Sequence, residues 1–168
     1  MDTESDGFTR FYEAARDDCL RAVVASVGDL QAAEDLVEEA FARAWARWRT
    51  VSRHPAPQAW VVRTALNTRV SWWRRRQREV VLPEPATEAP AVDAQGDGAV
   101  DRELMAVLLR LPARQRHVVA LRVFLDLDTA ATAETLGIAP GTVRAHFARA
   151  IATLREEFSP TIRQESWR

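Results

Sequence analysis

Apolar residues recur at intervals of three and four along most of the chain, and no stretch shows the period-two alternation of a half-buried strand. Phe8, Phe11, Tyr12, Ala15, Cys19, Ala22, Val23 and Val27 share one stripe, which predicts a first amphipathic helix. Gly28-Asp29 breaks the stripe, and Asp29 is placed to cap the next helix. That helix is predicted near 30–48, with Leu30, Ala33, Leu36, Val37, Ala40, Phe41, Ala44 and Trp48 on its apolar side. Residues 51–57 read as a loop, because Pro55 and Pro57 are excluded from a helix interior. A long helix is expected over 58–78, with Val62, Leu66, Val70 and Trp73 as its buried stripe.

After residue 100 the same periodicity returns. Val100, Leu104, Val107, Leu108 and Leu111 form one stripe, ended by Pro112. Helices are expected over 113–125, 128–136 and from Pro140 to about Phe158. Gly137 suits a left-handed position after a helix, and Pro140 suits a first helical position. Short helix, glycine turn, longer helix is the layout of a helix-turn-helix.

Between the two helical segments, residues 80–100 hold three prolines, two glycines and four acidic residues but no basic one. Nothing there can bury a face, so the stretch reads as a flexible acidic linker. Fully extended it reaches roughly 65–70 Å. The expected fold class is all-α: two small helical domains, 8–79 and 101–158, joined by this linker and followed by a tail at 159–168.

Charge changes the picture more than composition does. The 168 residues carry a net charge of −1, with 47% apolar and 28% charged side chains, a globular balance. That average hides a polarity. Residues 1–39 hold three arginines and eleven acids, whereas residues 40–78 hold ten arginines and no acid. A run at +10 predicts a polyanionic partner. All 23 basic residues are arginine, which GC-rich coding alone explains. No apolar run approaches the roughly 20 residues of a membrane helix, and the acidic N-terminus lacks a secretory signal. The expectation is a cytoplasmic protein with no membrane insertion.

Three constellations carry chemistry. On the last helix, Val143, Phe147, Ala150, Ile151 and Leu154 make a packed side, while Gly141, Ala145, Ala148 and Ala152 face away, flanked by Arg144 and Arg149. Small residues edged by arginine let a helix sit deep in a major groove, and Thr142 near its start can bond a phosphate. On the helix of 58–78, Arg63, Asn67, Ser71, Arg74 and Arg78 line one polar stripe, with Arg69, Arg75 and Arg76 beside it. Trp72 points off the buried stripe; it either stacks on an unpaired base or joins the core. On the helix of 30–48, Glu34, Asp35, Glu38 and Glu39 cluster, either as solvated surface with a Glu39–Arg43 pair or as a docking face for a basic protein.

Enzyme signatures are missing. His54, His117 and His146 have no metal-type spacing, and there is no phosphate loop or nucleophile elbow. Lone Cys19 sits at a core spacing and reads as a small buried hydrophobe. No cofactor and no catalytic residue are expected.

The residues Ala33-Glu34-Asp35-Leu36-Val37-Glu38-Glu39-Ala40-Phe41, then Ala59-Trp60-Val61-Val62-Arg63-Thr64-Ala65-Leu66-Asn67 with Ser71-Trp72-Trp73-Arg74-Arg75-Arg76, then Leu136-Gly137-Ile138-Ala139-Pro140-Gly141-Thr142-Val143-Arg144 stand in the order of three segments of bacterial sigma factors. The chain resembles their extracytoplasmic-function group over about residues 8–158. The resemblance implies a transcription initiation factor whose partners are core RNA polymerase, promoter DNA and, in many such proteins, an anti-sigma factor. It implies core-polymerase contact at or beside Asp35, Leu36, Glu38, Glu39 and Phe41. It implies minus-ten DNA contact through Ser52, Arg53 and His54 of the loop, with Asn67 reading an unpaired base. Arg63, Ser71, Trp72, Arg74, Arg75, Arg76 and Arg78 join that site. It implies minus-thirty-five contact through Thr142, Arg144, Ala145, His146, Ala148 and Arg149. The linker's reach suffices, since about 17 base pairs at roughly 3.4 Å each is near 58 Å.

Departures from the family pattern are Ala131 and Thr132 in place of a Glu-Ile pair, Ala139 in place of a capping serine, and small Ala145 and Ala148 on the reading face. They imply weaker local packing at Thr132 and an unusual upstream contact. The alternatives are a helix-turn-helix regulator that binds duplex DNA without polymerase, and a helical adaptor that binds only protein.

Overall fold

The computed structural model describes residues 3–79 and 100–165. Among the described residues, eight α-helices run in order: α1 Thr3–Val27, α2 Leu30–Ala46, α3 Trp48–Val51, α4 Pro57–Glu79, α5 Val100–Arg110, α6 Ala113–Val119, α7 Thr129–Leu136 and α8 Pro140–Glu165. A π-helical turn, Ala120–Phe124, continues α6. The described residues contain no strand, in line with the all-α expectation.

Local chemistry sets the helix ends. Gly28 (φ 79°) ends α1, and the Asp29 carboxylate accepts from the Ala32 N–H at 3.0 Å to start α2. Asp128 caps α7 the same way, accepting from Ala131 at 2.7 Å. Gly137 (φ 64°, ψ 38°) closes α7 in the left-handed region, which a glycine occupies without steric cost. Pro57 and Pro140 stand at first helical positions, where their missing N–H costs nothing.

The first group of helices packs on the predicted stripes of α1 and α2, and on Val62 and Leu66 of the stripe predicted for α4, joined there by Ala59, Val61 and Ala65. Cys19, Ala22 and Val23 of α1, Ala33, Leu36, Val37, Ala40, Phe41 and Ala44 of α2, and Ala59, Val61, Val62, Ala65 and Leu66 of α4 are buried together. Six aromatics, Phe8, Phe11, Tyr12, Phe41, Trp45 and Trp48, tie α1 to α2 and α3; Phe11 stacks on Trp48 at 5.2 Å and Tyr12 meets Phe41 edge-on at 4.9 Å. The Cys19 thiol donates to the Gln58 carbonyl at 3.7 Å, and burial pushes its pKa up to about 12, so it is the inert buried group expected.

Several expectations need correction. Val70 is 46% exposed rather than buried; among the described side chains of α4, Thr68 is the last that is buried. The side chains of Trp73, Arg76 and Arg78 lie outside the described residues, as do the linker 80–99 and residues 166–168 of the tail. The helix expected over 113–125 ends its α-helical part at Val119, and the π turn lets the Leu127 N–H reach back to the Leu121 carbonyl at 3.1 Å. The last helix runs to Glu165, past Phe158. Thr132 is fully buried, and its hydroxyl donates to the Asp128 carbonyl at 2.8 Å, so its polar group is satisfied within the core.

The second group of helices does not stand apart from the first. Leu108, Leu111, Val119, Ala120, Leu121, Leu125, Leu127 and Ala150 belong to the same buried cluster as the α1–α2–α4 residues. A smaller cluster of Val118, Ala133 and Val143 holds the helix-turn-helix itself together.

Candidate nucleic-acid and polymerase interface

Part of the charge run at 40–78 lines a cleft. The C-terminal turn of α2 and the exposed side of α4 enclose about 560 Å³ lined by Arg43, Ala46, Arg47, Trp60, Thr64, Asn67, Thr68, Ser71, Trp72 and Arg75. Three arginines and no carboxylate line it, so a low-dielectric wall concentrates positive potential on whatever enters. Arg43 leans back on Glu39 at 2.8 Å, whereas Arg47 and Arg75 form no ion pair among the described residues. Trp72 is 40% exposed, which resolves the choice left open by spacing: its ring is offered to solvent at the cleft wall. A neighbouring recess of about 510 Å³ joins Asn67, Val70, Ser71, Arg74 and Arg75. Donors, amide and indole on one acid-free wall can stack a base and hold its phosphates.

The loop before α4 contributes less directly. Ser52 and Arg53 are exposed, but neither lines the cleft. His54 Nδ1 accepts from the Ala56 N–H at 3.0 Å, which shapes the loop rather than aiming the ring outward. Arg63 is exposed on α4 outside both recesses.

On the other side of α2, Asp35 and Glu38 are exposed and Glu39 is half-buried. Glu38 stands at the lip of an apolar groove of about 320 Å³ formed by Phe8, Tyr12, Phe41, Ala42 and Trp45. Leu36 departs from the expected contact set: at 1% exposure it is sealed in the core and presents no surface. Phe41 is nearly as buried and meets the outside only through the groove floor.

On α8, Thr142, Arg144, Ala145, Ala148 and Arg149 are all exposed, while Val143 and Ala150 are buried. His146 departs from that face: it is half-buried, with Nδ1 enclosed by protein, because it turns toward the packed side. Arg122 of the π turn lies over the Phe147 ring at 5.2 Å and donates to the Leu127 carbonyl at 2.8 Å, which ties the packed side of α8 to the π turn.

Family models match both halves of the chain: sigma-70 region 2 over residues 5–79 and sigma-70 region 4 over residues 101–154. The chain belongs to the sigma-70 family, in its extracytoplasmic-function group. It is 39% identical over 150 residues to the RNA polymerase sigma-E factor of Streptomyces coelicolor, covering 89% of this chain and 85% of that one. It is 33% identical over 133 residues to the ECF RNA polymerase sigma factor SigL of Mycobacterium tuberculosis, covering 76% and 75%. Among solved structures, the sigma factor RpoE of Bartonella quintana, in complex with the anti-sigma factor NepR, shares the fold with a TM-score of 0.73 at 24% identity, over 91% of this chain and 97% of that one. This sigma factor is accordingly a transcription initiation factor that acts with core RNA polymerase at specific promoters.

Six cleft residues of the sigma factor escaped the sequence reading: Arg43, Ala46, Arg47, Trp60, Thr64 and Thr68. A signal was present. Stepping back from Asn67 by three and seven residues reaches Thr64 and Trp60, and Arg43 and Arg47 stand one turn apart on the facing helix. Among the described residues, no three metal-ligating side chains come together, and no helix is long and apolar enough to cross a membrane.

Proposed function

We propose that this sigma factor divides promoter recognition between its two helical groups, taken as domains 8–79 and 101–158, with 80–100 as the tether between them. The observation that carries the reading is the acid-free cleft between α2 and α4, in which Asn67, Ser71, Trp72 and Arg75 converge with Arg43 and Arg47. We assign this cleft to the melted minus-ten strand. Trp72 stacks a base, Asn67 reads a base edge, and Arg74, Arg75, Arg76 and Arg78 follow the phosphates. Opening duplex costs a few kcal/mol per unstacked base, and capture of the unpaired strand offsets it. Arg63 and the loop residues Ser52, Arg53 and His54 border this site.

The lip and floor of the α1–α2 groove, with Asp35, Glu38, Glu39 and Phe41, dock on core polymerase. Thr142, Arg144, Ala145, Ala148 and Arg149 of α8 enter the major groove of the minus-thirty-five element, where small side chains permit close approach. His146 supports that face from its margin. The protein performs no catalysis of its own and works in the cytoplasm, where polymerase and chromosome meet. An anti-sigma factor that covers these faces would silence it; the similar Bartonella chain was captured with such a partner.

Transcription in vitro with purified core polymerase tests the reading. Specific transcripts are expected from cognate promoters. Changing Arg74, Arg75 and Arg76 together to Ala is expected to shrink the permanganate-reactive bubble while leaving core binding intact. An unchanged bubble overturns the role given to that cluster.

A further inference from the structure

A second recess opens where α2 ends. Arg47 leaves helical geometry there, at φ −123° and ψ 24°, and its N–H donates to the Ala44 carbonyl at 3.2 Å. The turn into α3 encloses about 340 Å³ lined by Glu4, Trp45, Arg47, Trp48, Arg49 and Thr50. Ala46 and Arg47 belong both to this recess and to the α2–α4 cleft, so the two adjoin.

The recess repeats the chemistry of the cleft on a smaller scale. Two indoles, two guanidinium groups and a hydroxyl line it, and Glu4 is the one acid among the described residues that do. Trp48 is wedged in place: Phe11 stacks on it at 5.2 Å, and Phe8 meets it edge-on at 5.3 Å. Trp45 is 45% exposed, with Phe8 at 5.0 Å. Rings already held by their neighbours lose little freedom when a base stacks on them.

Glu4 shows where an anion sits. Its carboxylate accepts from Arg49 Nε at 2.8 Å, across 45 residues of sequence. Both side chains are exposed, and such a pair is weak. A phosphate can take the place of the carboxylate and engage the guanidinium with two oxygens.

Trp45 also lines the apolar groove proposed for polymerase, so the recess lies between two surfaces. Charge decides which one it extends. The groove carries Glu38 and no arginine, whereas the recess shares Arg47 with the cleft and adds Arg49. A basic partner drawn to Glu38 is repelled by these guanidinium groups; a polyanion that passes Arg47 is drawn onward.

We propose that the recess at the α2–α3 turn is a second site for unpaired strand, continuous with the cleft, in which Trp45 stacks a base, Arg49 holds its phosphate and Glu4 is the anion that the phosphate displaces. The proposal rests on the assignment of the cleft to melted strand. Arg47 stands between the two sites and serves both, so the strand that leaves the cleft bends around the end of α2.

Binding of fluorescent single strands to the holoenzyme tests this. One oligonucleotide spans the minus-ten element, and two others extend it by a few nucleotides at the 5′ or the 3′ end. One extension is expected to raise affinity about tenfold, as one stacked base does. Arg49→Ala is expected to remove most of that gain and to lower the salt slope of the extended strand by about 0.7, with the unextended strand bound as before. Arg49→Lys keeps the charge and should keep the slope. Glu4→Gln should raise affinity for the extended strand about two- to fivefold, and should raise nothing in the Arg49→Ala background.

No gain from either extension overturns the proposal. A gain that survives Arg49→Ala overturns it too, and if core polymerase affinity falls instead, the recess belongs to the polymerase groove. Unchanged affinity in Glu4→Gln overturns the competition assigned to Glu4. Trp72→Ala and Arg75→Ala, measured on the unextended strand, speak only to the cleft: wild-type affinity in both would sink the cleft reading, whereas the Arg49→Ala comparison reads the recess alone.

Discussion

The Arg116 guanidinium donates from Nη1 to the Leu109 carbonyl at 2.8 Å, crossing the turn between α5 and α6 onto the residue that packs against Gly28. Burial lowers the Arg116 pKa, and the charge of Arg69 lowers it further. The neighbouring His117 feels the same surroundings more strongly. Burial first, then Arg116, Arg114 and Arg69, push its pKa down from 6.5 to about 4.

A pH dependence follows from that depressed histidine. Between pH 6.5 and 4 the unfolded chain binds a proton at His117 that the folded chain refuses, so stability falls on acidification through this window and this group takes no more below it. The loss is at most about 3 kcal/mol, at 1.36 kcal/mol per unit. Urea unfolding at pH 7 and pH 5 should show it, and His117→Leu should flatten the difference. Arg69→Glu should shrink it too, because one of the three repelling charges is then reversed.

Helix caps give a second set of stability changes. Asp29→Ala and Asp128→Ala each remove a carboxylate that accepts from a first-turn N–H, at 3.0 and 2.7 Å, and should each cost about 1 kcal/mol. Ala139→Ser should gain about as much, because the Ala139 carbonyl already accepts the first bonds of α8 from Thr142 and Val143 while its side chain offers no oxygen. Thermal melting of the three variants, read as shifts of opposite sign, checks the assignment.

Polymerase docking should depend on charge at the groove lip. Glu38→Lys combined with Glu39→Lys is expected to weaken core binding at least about tenfold, near 1.4 kcal/mol, by setting like charges against a basic partner. A labelled core polymerase titration measures this. Unaltered affinity would return the patch to ordinary solvated surface.

Strand capture should separate into stacking and charge. Trp72→Ala is expected to cost about 1–3 kcal/mol in binding a single-stranded minus-ten oligonucleotide at every salt concentration. Arg75→Ala should instead lower the slope of log affinity against log salt by about 0.7. Fluorescence anisotropy at several salt concentrations distinguishes them. Equal salt slopes for both variants would remove Arg75 from the strand's path.

Much of this was legible in the sequence because helical periodicity is a local signal. The stripes on α1 and α2, the Asp29 cap, the Gly137 turn and the exposed small face of α8 all follow from spacings of three and four. What escaped depends on long-range packing. Val70 continues a perfect stripe, yet it stands 46% exposed. Leu36 belongs to the segment expected to contact polymerase and still points inward, because the segment's own helix needs a buried side. Arg43 looked complete with Glu39 until α4 placed Trp60 and Asn67 across from it.

The Glu39–Arg43 pair joins the acidic cluster of α2 to the wall of the arginine-lined cleft on a single turn. Reversing either sign alone turns an attraction into a repulsion across one helical turn, so drift in the patch proposed for polymerase and in the wall proposed for the strand is coupled through this pair.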